Sequence, residues 1–352
     1  MTYFGNVFSG SHDDGDISHS VDTKAWLSTS KALPENSNIL EALATVQPRL
    51  DFTVSSRKSY FHTAEGKLKE ATSKRMIVRD DTEVELHAAS DGYVPIQNEE
   101  AFAPLQVLQN EHGARLNALG QLRDGKVVWA HLTLPESMGS VQVKNGEDRV
   151  IANHILARTA HDGTSRLCYS LIPFESIHCS NQLAAFAAGV DTEWKVSHTK
   201  NAESALKKAT QVFGQFNENF AGFVQILQQL EDVPMTTNEF IEFSARWLQA
   251  IKGSPGKSAK DSDRVQRAIE KREEEIELLT EYFENGINCY GRTRGDAYQA
   301  VTEHMTHGRE RAREARGADG LTTTQRERLF GALTMGKGRA DTSQALRMLR
   351  TN

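Results

Sequence analysis

The sequence predicts an α+β fold: an antiparallel β-hairpin sheet with short helices, followed by a helical C-terminal section. Three observations predict it. Residues 51–90 alternate apolar and polar positions with the period of two expected of half-buried strands. The stretch ARLNALGQLRDGKVVWAHLTLP sets Asp124-Gly125, a pair that tolerates positive φ, between two apolar runs, which is the pattern of a hairpin. From residue 202 onward the apolar residues recur three or four apart, the spacing of one helix face. Strands grouped early and helices grouped late give an α+β chain rather than an alternating α/β one.

Each element follows in order. Residues 1–35 are rich in Ser, Asp, Gly and His without periodicity and are expected to form a loosely ordered arm. An α+β sheet domain is expected over 36–200. LPENSNILEALATV opens it as a short helix capped by Asn36 or Ser37, with Ile39, Leu40, Leu43 and Val46 as its apolar stripe and Pro48 beyond its end. The alternating stretch from Asp51 to Ser90 reads as a β-meander with turns at Glu65-Gly66 and Asp80-Asp81. NEEAFAPLQVLQNE reads as a helix capped by Asn98, with Phe102, Leu105 and Leu108 inward. HILARTAHDGTSRLCYSLIP repeats the hairpin grammar around Asp162-Gly163, and ESIHCSNQLAAFAAG reads as a helix capped by Ser180 or Asn181. A helical section is expected over 201–252, with Leu206, Phe213, Phe216, Phe220, Phe223, Leu227 and Leu230 inward. The Gly-, Ser- and Lys-containing residues 253–263 read as a flexible connector. Residues 264–352 complete the chain as a charged helical section, with Val265, Ile269, Ile276, Leu279 and Phe283 along one face.

Composition narrows the function classes. Hydrophobic residues at 38% and charged residues at 25% are those of a globular protein, and no apolar run approaches the roughly 18 residues that span a bilayer. The first residues lack the basic start and apolar core of a signal peptide. Cys168, Cys179 and Cys289 cannot all pair, so a reducing, cytoplasmic setting without membrane contact is expected.

The net charge of −6 is unevenly spread. From Arg57 to Arg79 seven lysines and arginines stand against Glu65 and Glu70, and from Arg309 to the end ten stand against five acids. The rest of the chain holds 24 Lys and Arg against 40 Asp and Glu. Two basic patches on an acidic body suit local contact with a polyanion.

The chemistry-bearing residues concentrate in ARTAHDGTSRLCYSLIPFESIHCSNQLAAF. Its metal candidates are His161, Asp162, His178 and Cys179, with His198, His304 and His307 further along. A metal-binding His-Asp pair needs a helix, whereas Gly163 and the β-alternation after it favour a turn closed by the Asp162 side chain. Cys179 reads as a buried residue packing a strand into a helix rather than a nucleophile. The chain has no P-loop, GxGxxG, CxxC or GxSxG pattern, so no catalytic residue and no cofactor is expected.

Several stretches in collinear order, DGYVPIQNEEAFAPL, AHDGTSRL, IHCSNQLAAF, VSHTKNAESAL and TRGDAYQAVTEHMTHG, resemble the phage/plasmid-like proteins grouped as domain of unknown function 932. The resemblance covers about residues 33–350. Where members of that group often have a Val-Cys-Asn-Thr-Leu segment, this chain reads Cys179-Ser180-Asn181-Gln182-Leu183. The resemblance implies a mobile-element setting, with DNA replication, recombination or evasion of host defence as its arena, and brings no catalytic residue.

The expected function is single-strand DNA binding or annealing without catalysis. Arg57, Lys58, Lys67, Lys69, Lys74 and Arg75 would track phosphates while Tyr60 or Phe61 stacks a base. A homo-oligomer is expected from the exposed hairpins and the amphipathic helix at 264–284. One alternative is a protein that blocks a host DNA-processing factor with an acidic, DNA-mimicking body. Another is a metal-dependent hydrolase or nuclease built on the central histidines.

Overall fold

The computed structural model describes residues 37–142, 149–175, 193–253, 262–286, 292–314 and 337–351, together with residues 33, 289, 322, 325 and 328. The helix expected after Cys179, the N-terminal arm and most of the connector lie outside these residues, as do His178 and Cys179.

The strands form two antiparallel sheets rather than one. β1 (Val54–His62), β2 (Leu68–Arg79) and β3 (Val84–Ser90) make a three-stranded meander. β4 (Arg115–Leu122), β5 (Val127–Val141), β6 (Arg149–Ala160), β7 (Leu167–Glu175) and β8 (Glu193–Val196) make a five-stranded one, each strand beside its sequence neighbour. The turns predicted from sequence join them. Arg123, Asp124 and Gly125 all take positive φ between β4 and β5, and Asp162 Oδ1 accepts from the Thr164 amide at 3.1 Å between β6 and β7.

Helices α1 (Ile39–Thr45) and α2 (Asn98–His112) precede and follow the small sheet. Their caps fall one or two residues from those expected. Asn38, not Asn36 or Ser37, caps α1 by accepting from the Leu40 amide at 2.9 Å. Gln97 occupies the cap of α2, so Asn98 is its first helical residue and its side chain faces inward. The predicted 202–231 helix is two helices, α3 (Ala202–Leu206) and α4 (Ala209–Glu231), separated at Lys207-Lys208. α5 (Thr237–Lys252) begins at a Thr236 capping box with Glu239. α6 (Ser262–Asn285), α7 (Arg294–Glu314) and α8 (Lys337–Thr351) complete the described chain.

One face of the large sheet is apolar and carries the core. Val128, Ala130 and Leu132 of β5, Ile155 and Ala157 of β6 and Leu171 of β7 join Phe102 and Leu105 of α2 and Phe213 and Phe223 of α4 in one buried cluster. Tyr169 ties the layers together: its hydroxyl donates to Ala101 O in α2 at 2.5 Å, and its ring meets Phe213 edge-on at 5.6 Å. The same cluster continues into the C-terminal helices, where Phe240 of α5 stacks on Phe283 of α6 at 4.3 Å and Trp247 donates to Asp341 O in α8 at 2.9 Å.

Arg79 joins the small sheet to the large one. Counted among the basic residues of the 57–79 stretch, it is buried and faces the β4–β5 turn instead of solvent. Its guanidinium lies 3.8 Å from the centroid of the Phe52 ring, donates to both oxygens of Asp81, and reaches Gln121 Oε1 and Asp124 O. Gly125 sits under this group at φ 92°, and a Cβ there would come within 2.8 Å of Arg79 Nη1 and of Phe52 Cζ. Gly66, in the β1–β2 turn at φ 79°, has nothing within 4 Å of such a Cβ.

These two glycines make a controlled pair. Both alanine substitutions carry the cost of positive φ, about 1 kcal/mol, and only Gly125→Ala adds overpacking of about 1–3 kcal/mol. Urea unfolding of the two variants should therefore separate them, with Gly125→Ala the less stable; equal midpoints would contradict the close approach of Arg79 and Phe52.

Candidate nucleic-acid interface and the buried histidines

The distal part of the β1–β2 hairpin is a two-stranded ribbon. At its base Val54, Ile77 and Val78 are buried, whereas Lys58, Tyr60, Phe61, His62, Leu68 and Lys69 are exposed on both faces. Successive residues of a strand point to opposite faces, so Tyr60 and Phe61 cannot form one stacking platform. Directly opposed residues share a face, and the pairs are Lys58 with Arg75, Tyr60 with Glu70 and Phe61 with Lys69. The register shifts between Lys58 and Tyr60, where residues 71–74 of β2 stand opposite Ser59 alone. The bulge keeps Glu70 with Arg75 on one face, and Lys69 with Lys74 on the other.

The eight predicted contact residues thus divide into two sets. Lys58 pairs with Glu70 at 2.9 Å and Arg75 with Asp91 at 2.8 Å, around Tyr60. Each pair raises the pKa of its cation through the hydrogen bond to the carboxylate. On the other face Arg57 meets Asp80 at 3.0 Å and Glu83 at 3.5 Å. Lys67, in the turn, is 3.3 Å from Glu65. Lys69 and Lys74, flanking Phe61 on that second face, have no ionic partner among the described residues. Much of the basic excess counted along 57–79 is therefore balanced by Asp80, Glu83 and Asp91, which the fold brings in from beyond the stretch. Most of the second basic stretch, from Arg309, lies outside the described side chains.

The central histidines are brought together at α2. Asn98, at the start of that helix, donates to Leu50 O at 2.8 Å, which turns its Oδ1 toward His161 Nε2 at 2.9 Å. The proton of neutral His161 is therefore on Nε2, and Nδ1 stays inside with no hydrogen-bond partner among the described residues. His198 accepts from the Ile96 amide through Nδ1 at 3.3 Å and stacks on Tyr93 at 4.9 Å. Gln97 pairs with the backbone of β1 in both directions, accepting from Val54 N at 2.9 Å and donating to Val54 O at 3.0 Å. Asp162 pairs with Arg123 at 2.9 Å. In this way YVPIQN, AHDG and VSHTK, distant in sequence, meet at one buried node.

Sequence reasoning missed a second pair of histidines. His131 of β5 and His154 of β6 lie on the face of the large sheet opposite the core, with His154 Nδ1 2.9 Å from His131 Nε2. Thr133 Oγ1 is 3.3 Å and Asn117 Nδ2 3.4 Å from the same His154 nitrogen. Further along this face the guanidinium of Arg158 donates to Ser170 Oγ and Glu193, both at 3.1 Å. These side chains are buried, so this sheet face carries polar groups shielded from water beside Trp129 and Leu156. The available signal was a histidine at the period of two beside Trp129 and Thr133, in VVWAHLTL, a solvent-facing pattern only if its neighbours were polar.

As for metal, His161 and Asp162 are engaged with Asn98 and Arg123, and His304 lies 2.9 Å from Glu275 Oε1. Among the described residues no three His, Cys, Asp or Glu side chains converge to hold an ion. No helix among them is long and apolar enough to cross a membrane.

Fold and sites define an α+β chain with a projecting β-ribbon and a sheet carrying a buried polar face, a class that specifies no reaction. The model of the family described as "Domain of unknown function (DUF932)" matches residues 85–330, and the chain belongs to that family. No curated protein and no solved structure matches the chain. The matched span begins within β3, so β1 and β2 precede it.

Burial fixes the charge state of the four histidines. It pushes His131 and His161 down to about 3 and His198 to about 4, and it lowers His154 well below its ordinary value, with His131 and Arg115 adding to the effect. Their folded-state pKa values lie below the unfolded value of about 6.5, so the unfolded chain takes up protons first as pH falls. The stability they confer is complete above about pH 6.5 and declines below it, by up to about 1.4 kcal/mol per pH unit for each histidine. Urea midpoints should fall steadily from about pH 7 to about pH 5. A flat profile over that window would rule out a neutral buried set.

Proposed function

We propose that the chain is a non-catalytic single-strand DNA binding or annealing protein of mobile-element DNA metabolism, and that the Phe61 face of the ribbon is its contact surface. The observation that carries the reading is Phe61, 48% exposed opposite Lys69 on the face that also carries Lys74, two lysines with no ionic partner among the described residues. A single strand needs an aromatic face for its bases and cations for its phosphates, and stacking tolerates any base. Arg57 extends the cationic line toward the base of the ribbon, where a phosphate would compete with the solvent-exposed carboxylate of Glu83. The mobile-element setting rests on the family resemblance.

Fluorescence anisotropy of a labelled oligo-dT tests this. Phe61→Ala should weaken binding by about 1–3 kcal/mol. Lys69→Glu with Lys74→Glu should weaken it further and flatten its salt dependence, because each lost phosphate contact removes about 0.7 from the slope of log K against log salt. All three positions are exposed, so unfolding temperatures should stay level. Binding that ignores all three substitutions would exclude this face.

A second reading, capture of a host DNA-processing protein by a DNA-like acidic surface, is favoured by α6. Glu270, Glu273, Glu274, Glu277 and Glu281 line its exposed side. Under that reading the chain inhibits a purified nuclease or polymerase at low salt, Glu273→Gln with Glu274→Gln and Glu277→Gln relieves the inhibition, and oligo-dT binding is untouched.

A further inference from the structure

The other face of the ribbon has a different chemistry. Strand alternation puts Tyr60 and Leu68 on the side of Lys58 and Arg75, since Tyr60 opposes Glu70 and His62 opposes Leu68. Tyr60 is 53% and Leu68 63% exposed. The cations beside them are matched: Lys58 has Glu70 and Arg75 has Asp91. Two large apolar groups among balanced charges give a polyphosphate no net cation to hold, because affinity for a nucleic-acid backbone grows with the phosphates neutralised. An exposed aromatic and an exposed leucine bordered by paired charges suit a protein surface, where a desolvated centre is ringed by polar groups.

The arrangement also says which protein. Lys58 and Glu70 stand on neighbouring strands of one ribbon, facing the same way. A two-fold axis lying between two such faces and running midway between Lys58 and Glu70 lays each Lys58 against the Glu70 of the partner copy and brings the two Tyr60 side chains together, with Leu68 at the rim of the contact. Isologous contacts demand such self-complementarity, with an equal number of opposite charges exchanged across the axis. We infer that the Tyr60–Leu68 face of the ribbon is a self-association surface on which the same face of a second copy packs. The free part of the ribbon is short, so the dimer is of the weak, concentration-dependent class. In that dimer the two Phe61 faces point away from each other, which leaves both open.

Light scattering of the full chain over a concentration series tests this. The wild type should pass from monomer to dimer as concentration rises. Tyr60→Ser should raise the dissociation constant about tenfold or more, without lowering the unfolding temperature, because the side chain is exposed. Charge reversal supplies a readout that a role within one ribbon would not produce. Lys58→Glu alone and Glu70→Lys alone should each stay monomeric, because like charges then meet across the axis, and an equimolar mixture of the two should form a heterodimer. A wild type that stays monomeric at the highest concentration reached would overturn the inference, as would a dimer indifferent to Tyr60→Ser or a mixture that stays monomeric. A loss of oligo-dT binding in Tyr60→Ser with no change of mass would also overturn it, by placing nucleic acid on this face.

Discussion

The first turn of α2 is the constraint on which the arrangement of the two sheets depends. Two neighbouring amides, Gln97 and Asn98, each use a donor and an acceptor at once. Gln97 completes the edge of β1 where that strand begins, and Asn98 spans from the Leu50 carbonyl to the His161 ring. A carboxylate in either place would offer only acceptors and would confront a carbonyl oxygen, and an apolar residue would leave buried backbone groups without partners. Arg79 acts in parallel from the position opposite Val54, holding the same end of the small sheet against the β4–β5 turn. Between them, these neutral and charged contacts fix where the ribbon leaves the body, and so where its faces point.

The same polar joints explain the role of the central histidines. An imidazole can donate on one nitrogen and accept on the other without carrying charge, which suits it to a buried joint between a helix start and a strand end. His161 uses the donor half of this, giving its Nε2 proton to Asn98, and His198 the acceptor half, taking the Ile96 amide on Nδ1, so the motifs containing them meet at the start of α2. The His-Asp pair that suggests a metal in sequence is resolved into two separate tasks: His161 faces the helix, and Asp162 closes its turn and pairs with Arg123.

Sequence made the elements legible wherever the local signal was strong. The Asp124-Gly125 and Asp162-Gly163 turns, the meander over residues 51–90 and the helical C-terminal section all rest on local periodicity and turn chemistry. Caps were displaced by a residue or two because Asn36, Ser37 and Asn38 are chemically near-equivalent, and only packing selects among them. The division into two sheets was not legible, since it depends on contacts such as Arg79 with Asp124 that no window contains. Charge counting suffered the same way: a sum along 57–79 cannot include Asp91, which reaches Arg75 across the ladder. His131 and His154 escaped notice because a histidine among strand residues carries no sign of which face will be shielded.

The bulge opposite Ser59 has one more consequence. Between Lys58 and Tyr60 β1 spends one residue while β2 spends four between Arg75 and Glu70, so β1 alone fixes the flanks that Tyr60 and Phe61 take and β2 breaks its alternation to follow. Removing one of those four would leave three, and plain alternation would then put Glu70 and Arg75 on one flank without a break, with Tyr60 still beside them. β1 is thus the ruler of the ribbon: its spacing sets which chemistry each flank carries, and β2 absorbs the difference.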